Sequence, residues 1–209
     1  TIVAAGPLLY EALLAGIQDQ VAARGRIAAL AFAAALRVSG GIRRTTGLCA
    51  GRWLLYPLHK RIGRSLRFVA CGGAALDAGL AWRLEALGWM VNTGYGLTET
   101  SPMLTLNPPP RARIGSVGAP VPGVEVRVVS SEDPGLARAP GKEGEIVVRG
   151  PGVFAGYHNL PAETAKAFTR DGWFRTADLG YIDRRGDLHI TGRTSTVLVL
   201  QGGEKVQPD

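Results

Sequence analysis

Two short apolar runs, joined by a helix and each followed by glycine, constrain the fold of this chain more than any other feature. The first run, Leu66 to Cys71, ends at Gly72-Gly73 and is typical of a buried parallel strand. Leu76 to Leu87 then has helical spacing, with a polar start and a glycine end. Met90 to Asn92 is the second run. A strand, helix, strand unit predicts an open α/β sheet, which binds ligands at the C-terminal ends of its strands.

The second strand leads into the sequence Thr-Gly-Tyr-Gly-Leu-Thr-Glu-Thr-Ser at positions 93–101. Gly94 and Gly96 leave the backbone free to take positive φ or to let a ligand come close. Tyr95 between them offers a ring face on which a nucleotide base can stack. These three residues are compatible both with a nucleotide site and with a simple turn that packs its tyrosine.

The same segment carries the polar groups that a phosphate ligand needs. The hydroxyls of Thr98 and Thr100 can hydrogen-bond phosphate oxygens, and Glu99 can hold Mg²⁺, which prefers carboxylate and phosphate oxygens. A turn with a solvated Glu99 is the alternative that these residues leave open.

The composition changes at Pro108-Pro109-Pro110, a stiff connector. We predict an α/β subdomain, part of a doubly wound sheet, over 1–108 and a smaller β-rich subdomain, a distorted barrel, over 109–192. Residues 193–209 are predicted to form a hinge and the start of a further domain. One short helix, Pro161 to Phe168, interrupts the β pattern. The predicted strands after the connector are Val124–Ser130, Glu145–Arg149, Leu179–Ile182, Leu188–Thr191 and Thr196–Gln201, with a hairpin turn at Asp183–Gly186.

The first 67 residues are predicted to be mainly helical, with a helix stop at Ser39-Gly40-Gly41 and a core segment at Trp53 to Tyr56. They hold ten Lys and Arg against two acidic residues, so the positive charge that gives the whole chain its net charge of +7 lies in this part. Such a surface can face solvent, pair with acidic groups or contact an anionic membrane. Its basic residues are not interleaved with aromatic residues, so a nucleic-acid groove is not predicted.

The sequence shows no signal-peptide pattern, and its longest apolar run, Ile27 to Leu36, is too short to cross a bilayer. We therefore expect a cytoplasmic protein, with peripheral contact at the inner membrane face as an open alternative.

The string Tyr-Gly-Leu-Thr-Glu-Thr at positions 95–100 resembles the adenine and Mg²⁺ motif of the adenylate-forming superfamily, which includes acyl-CoA synthetases, luciferases and peptide-synthetase adenylation domains. The resemblance extends from about Leu66 to Asp209 and is most similar to the long-chain fatty acyl-CoA synthetase branch. Its other landmarks are Gly72–Ala75, Gly115–Gly118, Gly144–Ile146, Gly172–Asp178 and Gly192-Arg193.

The resemblance implies a ligase that uses ATP to convert a fatty acid into an acyl-adenylate and then transfers the acyl group to coenzyme A. In this interpretation Tyr95 stacks on adenine, Thr98 holds the α-phosphate and Glu99 holds Mg²⁺. Thr98 and Glu99 are the implied catalytic residues. The implied nucleotide-binding residues are Gly73, Ala74, Ala75, Gly94, Tyr95, Gly96, Thr98, Asp178 and Arg193.

Asp178 and Arg193 are ordinary surface residues when judged by the sequence alone. Asp178 is predicted in a loop immediately before a strand, and Arg193 at the end of the next strand. The resemblance implies that they hold the ribose of the nucleotide. Ala177 stands where the superfamily usually has glycine before this aspartate.

One motif and one domain that are usual in the superfamily are absent from the sequence. They are the phosphate loop with its lysine and the small C-terminal domain with its own lysine. We therefore expect an internal fragment without appreciable ligase activity of its own. Thr196 stands at the hinge position, where aspartate or lysine is usual. Two alternatives stay open: a ligase that delivers the acyl group to an acyl carrier protein, and a non-catalytic module that docks on lipid.

Overall fold

The computed structural model describes residues 1–73, 75–109, 112–130, 135–194, 198–199 and 205–206. The chain divides into two compact units, each built from two stretches of sequence. Unit 1 consists of residues 1–94 and 107–115, and unit 2 consists of residues 95–106 and 116–209. The subdomain limits predicted at 108 and 192 are a different division and stay a prediction.

Three parallel strands form the sheet of unit 1, in the order β1–β2–β3. In their register Val3 lies opposite Val69, and Val69 lies opposite Val91. The strands are β1 (Ile2–Ala4), β2 (Phe68–Cys71) and β3 (Met90–Tyr95), and the helices are α1 (Pro7–Ala22), α2 (Arg26–Thr46), α3 (Gly51–Leu54), α4 (Tyr56–Ile62) and α5 (Ala78–Leu87).

The predicted strand, helix, strand unit is confirmed as β2, α5 and β3. The carboxylate of Asp77 caps α5 by accepting a hydrogen bond from Leu80 N at 2.8 Å, and Gly88 ends the helix at φ 96°. Leu80, Leu84 and Leu87 recur at helical spacing and are buried in the core. Gly72 follows β2, as predicted, whereas β3 extends past the predicted end at Asn92 and includes Gly94.

Helix α1 packs on this core through its buried residues Tyr10, Leu14 and Ile17. The hydroxyl of Tyr10 donates to Val3 O at 2.9 Å and to Ala70 O at 2.7 Å. One buried side chain thus connects the helix with β1 and β2, and its hydroxyl is satisfied by backbone acceptors.

The predicted helix stop at Ser39-Gly40-Gly41 is wrong, because α2 continues through it to Thr46. Ser39 is fully buried, and a Cβ placed on Gly40 would lie 3.4 Å from Ala86 Cβ. The small residues therefore let α2 come close to α5. The packing of the two helices overrides the low helix propensity of glycine.

Two further predictions for the first 67 residues need correction. Strand β1 was not predicted, since a run of three residues is too short to show alternation. The segment from Trp53 to Tyr56 is not core, because only Leu55 is buried and the Trp53 side chain is 80% exposed. None of the helices in the described part of the chain combines the length and the hydropathy that a bilayer crossing needs.

Unit 2 contains a four-stranded antiparallel sheet in the order β6–β7–β8–β9, together with the antiparallel pair β4–β5. Its strands are β4 (Thr105–Asn107), β5 (Ala119–Pro120), β6 (Glu125–Val129), β7 (Gly144–Arg149), β8 (Phe174–Ile182) and β9 (Leu188–Arg193), and its helix is α6 (Pro161–Ala167). The last described strands, β10 (Leu198–Val199) and β11 (Lys205–Val206), pair antiparallel.

The core of unit 2 consists of buried side chains from its strands, among them Val128, Ile146, Val148, Phe174 and Leu188. The predicted strands correspond to β6, β7, β8 and β9, and the turn at Asp183–Gly186 joins β8 to β9. Of the predicted strand Thr196–Gln201, only residues 198–199 are described. The predicted α/β class, followed by a β-rich part, is confirmed.

Candidate active site

The turn after β3 is shaped by close packing. A Cβ placed on Gly96 would lie 1.6 Å from Pro102 O, so no other residue fits there. Thr100 is buried, and its hydroxyl accepts from Leu97 N and donates to Leu97 O, both at 2.9 Å. The prediction that Thr100 faces a phosphate is therefore wrong, since its hydroxyl closes the turn. Tyr95 ends β3 instead of lying in a loop.

Asp178 lies inside β8, so its predicted position in a loop is wrong. The strand bulges at this point: its register shifts against β7 and β9, and Ala177 has φ 58°. The hydroxyl of Thr176 accepts from Asp178 N at 3.2 Å and donates to Ile146 O at 2.9 Å. A bulge breaks the alternation of a strand, which is why the sequence pattern did not extend the strand this far.

The bulge places Asp178 between two of the other predicted site residues. Tyr95 OH donates to Asp178 Oδ2 at 2.6 Å, and Arg193 Nε donates to Asp178 Oδ1 at 2.6 Å. Asp178 and Arg193 are direct partners across β8 and β9. Asp178 is only 4% exposed, whereas the Arg193 side chain is 55% exposed. The structure thus brings together three residues that are far apart in sequence.

The electrostatics of this cluster follow from its burial. Burial raises the pKa of Tyr95, and the adjacent Asp178 carboxylate raises it further, so the phenol stays protonated as a donor. The hydrogen bond to Asp178 raises the pKa of Arg193, and the negative charge of Glu99 acts in the same direction.

Thr98 and Glu99 lie in a 3₁₀ turn, Thr98–Thr100, in which Thr98 is exposed and Glu99 is half-buried. Glu99 Oε1 accepts from Tyr157 OH at 3.3 Å. Burial raises the pKa of Tyr157, with Glu99 as the next cause. The carboxylate of Glu99 is thus within reach of both a phenol and solvent.

A divalent cation fits Glu99 only together with a ligand. The described residues contain no group of three His, Cys, Asp or Glu side chains that could hold a metal ion. Mg²⁺ is commonly held by one or two carboxylates plus substrate phosphates, and it keeps several waters. A single half-buried carboxylate beside an exposed threonine suits an ion that arrives with a phosphate.

The other predicted site residues lie in unit 1 or at its edge. Gly73 is exposed with φ 77°, which only glycine adopts without strain, and Ala75 is also exposed. Gly94 belongs to β3. Ala74, and Thr196 at the predicted hinge, lie outside the described residues. The predicted contribution of these residues to a nucleotide pocket stays a prediction.

Two residues of this neighbourhood were missed by sequence reasoning. Thr176 holds the bulge, and Tyr157 contacts Glu99. The signal in the sequence was Gly156, because a glycine often marks a constrained backbone position. In the structure Gly156 has φ 149°. Nothing in the local sequence connects Tyr157 to Glu99, since 58 positions separate them.

Comparisons with known proteins identify the family to which this chain is similar. The model of the family described as AMP-binding enzyme matches residues 1–158. The long-chain-fatty-acid–CoA ligase FadD15 of Mycobacterium bovis is 34% identical over all of this chain and 34% of its own length. The chloroplastic long-chain-fatty-acid–[acyl-carrier-protein] ligase AEE15 of Arabidopsis thaliana is 31% identical over 97% of this chain and 34% of its own length.

A solved structure is similar as well. The O-succinylbenzoate coenzyme A synthetase of Bacillus subtilis in complex with AMP matches with a TM-score of 0.62 and 29% identity, over 75% of this chain and 33% of that one. The chain thus spans about a third of the length of the curated relatives it matches.

Proposed function

Because this chain belongs to the family of AMP-binding enzymes, we propose that it supplies nucleotide-binding groups of an ATP-dependent ligase that activates a carboxylic acid as its acyl-adenylate. The observation that carries the proposal is the buried Asp178 carboxylate, bonded to both Tyr95 and Arg193. The acid is proposed to be a fatty acid, and the acceptor of the acyl group to be coenzyme A.

Asp178 has the acceptor capacity that a ribose needs. A carboxylate offers about four lone-pair sites, and Tyr95 and Arg193 each take one of them. Hydroxyls of a sugar can take the others. Arg193 can bond the same sugar or a phosphate through the exposed part of its side chain, and Tyr95 gives adenine a ring face to stack on.

The phosphate side of the site is formed by Thr98 and Glu99. The exposed Thr98 hydroxyl is proposed to donate to the α-phosphate, and Glu99 is proposed to hold Mg²⁺. When bound, Mg²⁺ neutralises charge that develops on the transferring phosphoryl group. Thr98 and Glu99 are proposed to position the phosphate, and neither acts as a nucleophile.

Two other candidates are supported by single observations. The similarity to an acyl-carrier-protein ligase of Arabidopsis favours a carrier protein as the acceptor in place of coenzyme A. The exposed Trp53 and Leu54, which stand between basic residues, favour peripheral docking of unit 1 on an anionic membrane from the cytoplasmic side. Such docking is proposed either to accompany a ligase with either acceptor or to be the function of a non-catalytic module.

Binding of a non-hydrolysable acyl-sulfamoyl adenosine tests the nucleotide proposal. We expect the chain to bind it, and Asp178→Asn to weaken binding by about 10-fold to 100-fold, since a hydrogen bond to a charged group contributes about 1.5–3 kcal/mol. Isothermal titration calorimetry gives the affinities. Asp171→Asn is the control, because Asp171 is a solvent-exposed carboxylate that accepts from Thr169.

Equal affinity for the parent and Asp178→Asn would contradict the assignment of the ribose site. If the parent binds no adenosine analogue but binds anionic vesicles with an affinity that falls as salt rises, the lipid-docking module replaces the ligase. Pyrophosphate release from ATP and fatty acid, measured on the same chain, tests the expectation that it has no appreciable ligase activity of its own.

A further inference from the structure

The environment of Glu99 contains a phenol that the nucleotide proposal does not use. We propose that Tyr157 is a positioning residue for Glu99: its hydroxyl holds one carboxylate oxygen, so that the carboxylate presents the other to a divalent cation that arrives with a nucleotide. This inference rests on the proposed function. The observation behind it is the hydrogen bond from Tyr157 OH to Glu99 Oε1 at 3.3 Å.

The backbone of Glu99 is held by the same segment that carries Tyr157. Phe154 N donates to Glu99 O at 2.8 Å. A Cβ placed on Gly152 would lie 2.8 Å from Thr100 O, so the segment lies directly against the turn. The Phe154 ring is packed edge-on against Phe174 with ring centroids 5.3 Å apart. The backbone of Glu99 is therefore held by contacts that do not involve the hydrogen bond between its side chain and Tyr157.

Tyr157 is itself held from two sides. Its ring packs edge-on against Phe154, with centroids 4.8 Å apart. Its backbone N donates to Thr164 Oγ1 at 2.9 Å, and that hydroxyl donates to Leu160 O at 3.0 Å. A Cβ on Gly156 would lie 2.5 Å from Thr164 Cγ2, so glycine is required for this approach. Thr164, Tyr157 and Glu99 form a chain of contacts from α6 to the turn.

A purely structural role explains this chain of contacts poorly. The Tyr157 side chain is 38% exposed, and a hydrogen bond at the surface adds little to stability because water replaces it readily. A hydrogen bond that orients a ligand carboxylate acts differently. Loss of such a partner lowers metal affinity by about 10-fold to 100-fold. The hydroxyl of Tyr157 therefore matters most when a cation is bound.

The test compares ATP binding with and without metal. The affinity of the chain for ATP is measured by calorimetry in EDTA and in excess Mn²⁺, and the ratio of the two affinities reports the metal contribution. We expect Tyr157→Phe to reduce this ratio by about 10-fold and to leave the metal-free affinity unchanged. The electron paramagnetic resonance spectrum of Mn²⁺ in the ternary complex should change as well.

Two matched variants sharpen the comparison. Thr164→Val keeps the shape of the side chain and removes the hydroxyl that accepts from Tyr157 N, so we expect a smaller fall in the ratio. Tyr181→Phe removes a hydroxyl from another tyrosine of unit 2, whose ring stacks on His189, and should leave the ratio as in the parent.

The outcomes separate the two proposals. If the parent binds no ATP in either condition, the proposed function fails and this inference falls with it. If the parent binds ATP and Tyr157→Phe leaves the ratio unchanged or raises it, the inference alone is overturned. A parent whose affinity for ATP is the same with and without Mn²⁺ also overturns it, since Glu99 then holds no cation.

Discussion

The two units each contain a buried carboxylate paired with an arginine, and the pairs differ in how they are enclosed. In unit 1, Glu85 on α5 is 2% exposed and pairs with Arg43, which is 8% exposed. In unit 2, Asp178 is 4% exposed, but the side chain of Arg193 is 55% exposed. The pair of Glu85 and Arg43 is a closed pair, because both side chains are buried. The pair of Asp178 and Arg193 is an open pair, because its arginine is exposed to solvent.

The second donor to each carboxylate shows the same difference. Glu85 Oε1 accepts from the backbone N of Val91 at 2.9 Å, which fixes the start of β3. Asp178 Oδ2 accepts from the hydroxyl of Tyr95, a side chain that is itself proposed to meet the ligand. A backbone donor cannot be exchanged for a ligand, whereas side chains at an open edge can rearrange. Burial of a carboxylate alone therefore does not indicate a binding site.

The largest expected effect comes from Arg43→Met. Removal of one partner of a buried ion pair leaves the other charge uncompensated, so we expect the free energy of unfolding of unit 1 to fall by about 3–5 kcal/mol. Arg193→Met should cost about 1 kcal/mol or less, because water can replace an exposed guanidinium. Urea denaturation, with hydrogen exchange of amides in α5 and β3, measures the loss.

The control for this pair is Arg44→Met. The guanidinium of Arg44 lies over the Trp82 ring at 4.7 Å, an exposed interaction that contributes about 0.5–1 kcal/mol. Equal losses for Arg43→Met and Arg193→Met would remove the distinction between a closed and an open pair.

A smaller effect is expected from Tyr95→Phe. The change removes the donor to Asp178 Oδ2 and should lower the free energy of unfolding by about 1–3 kcal/mol at neutral pH. Burial and Asp178 raise the pKa of Tyr95, so the folded state holds the phenol proton more tightly than the unfolded state. The stability that Tyr95 contributes is therefore complete below the unfolded pKa of about 10 and is lost as the pH rises above it.

The measurement is the free energy of unfolding at pH 8 and at pH 11 for the parent and the variant. The parent should lose more stability between the two pH values than Tyr95→Phe does. An equal loss in both proteins would show that the phenol is not protected by its burial beside Asp178.

The same two pairs show how much of the molecule could be predicted from its sequence. The unit β2, α5 and β3 was predictable because apolar periodicity, the Asp77 cap and Gly88 agree over a short span. The pair of Arg43 with Glu85 was not predictable, since 42 positions separate the residues and Ser39-Gly40-Gly41 signals a break in α2, the helix that carries Arg43. The continuation of α2 through these residues depends on its packing against α5, and local helix propensity does not predict such packing.

The candidate site was predictable only through the family resemblance. Tyr95 and Asp178 are 83 positions apart, and no local pattern relates them. The bulge at Ala177 hid the true extent of β8, because a bulge interrupts alternation. The resemblance named the residues, and the structure added the contact of Tyr157 with Glu99.

The smallest expected effect tests the bulge on which the open pair depends. Ala177 has φ 58°, a conformation that costs an L-residue about 1–2 kcal/mol, whereas glycine adopts it freely. Glycine also makes the unfolded chain more flexible, at a cost of about 0.4–1 kcal/mol. We therefore expect Ala177→Gly to raise the free energy of unfolding by about 0.5–1 kcal/mol, with unchanged affinity for the adenosine analogue.

The control is Ala165→Gly in α6, an exposed helical site where the same substitution should lower stability by about 0.5–1 kcal/mol. Opposite signs at the two positions, measured by urea denaturation, would confirm that Ala177 is strained. If Ala177→Gly is stabilising and yet weakens binding, the strain itself helps to orient Asp178. The open pair would then depend on a rigid backbone as well as on its exposed cation, which the closed pair of Arg43 and Glu85 does not require.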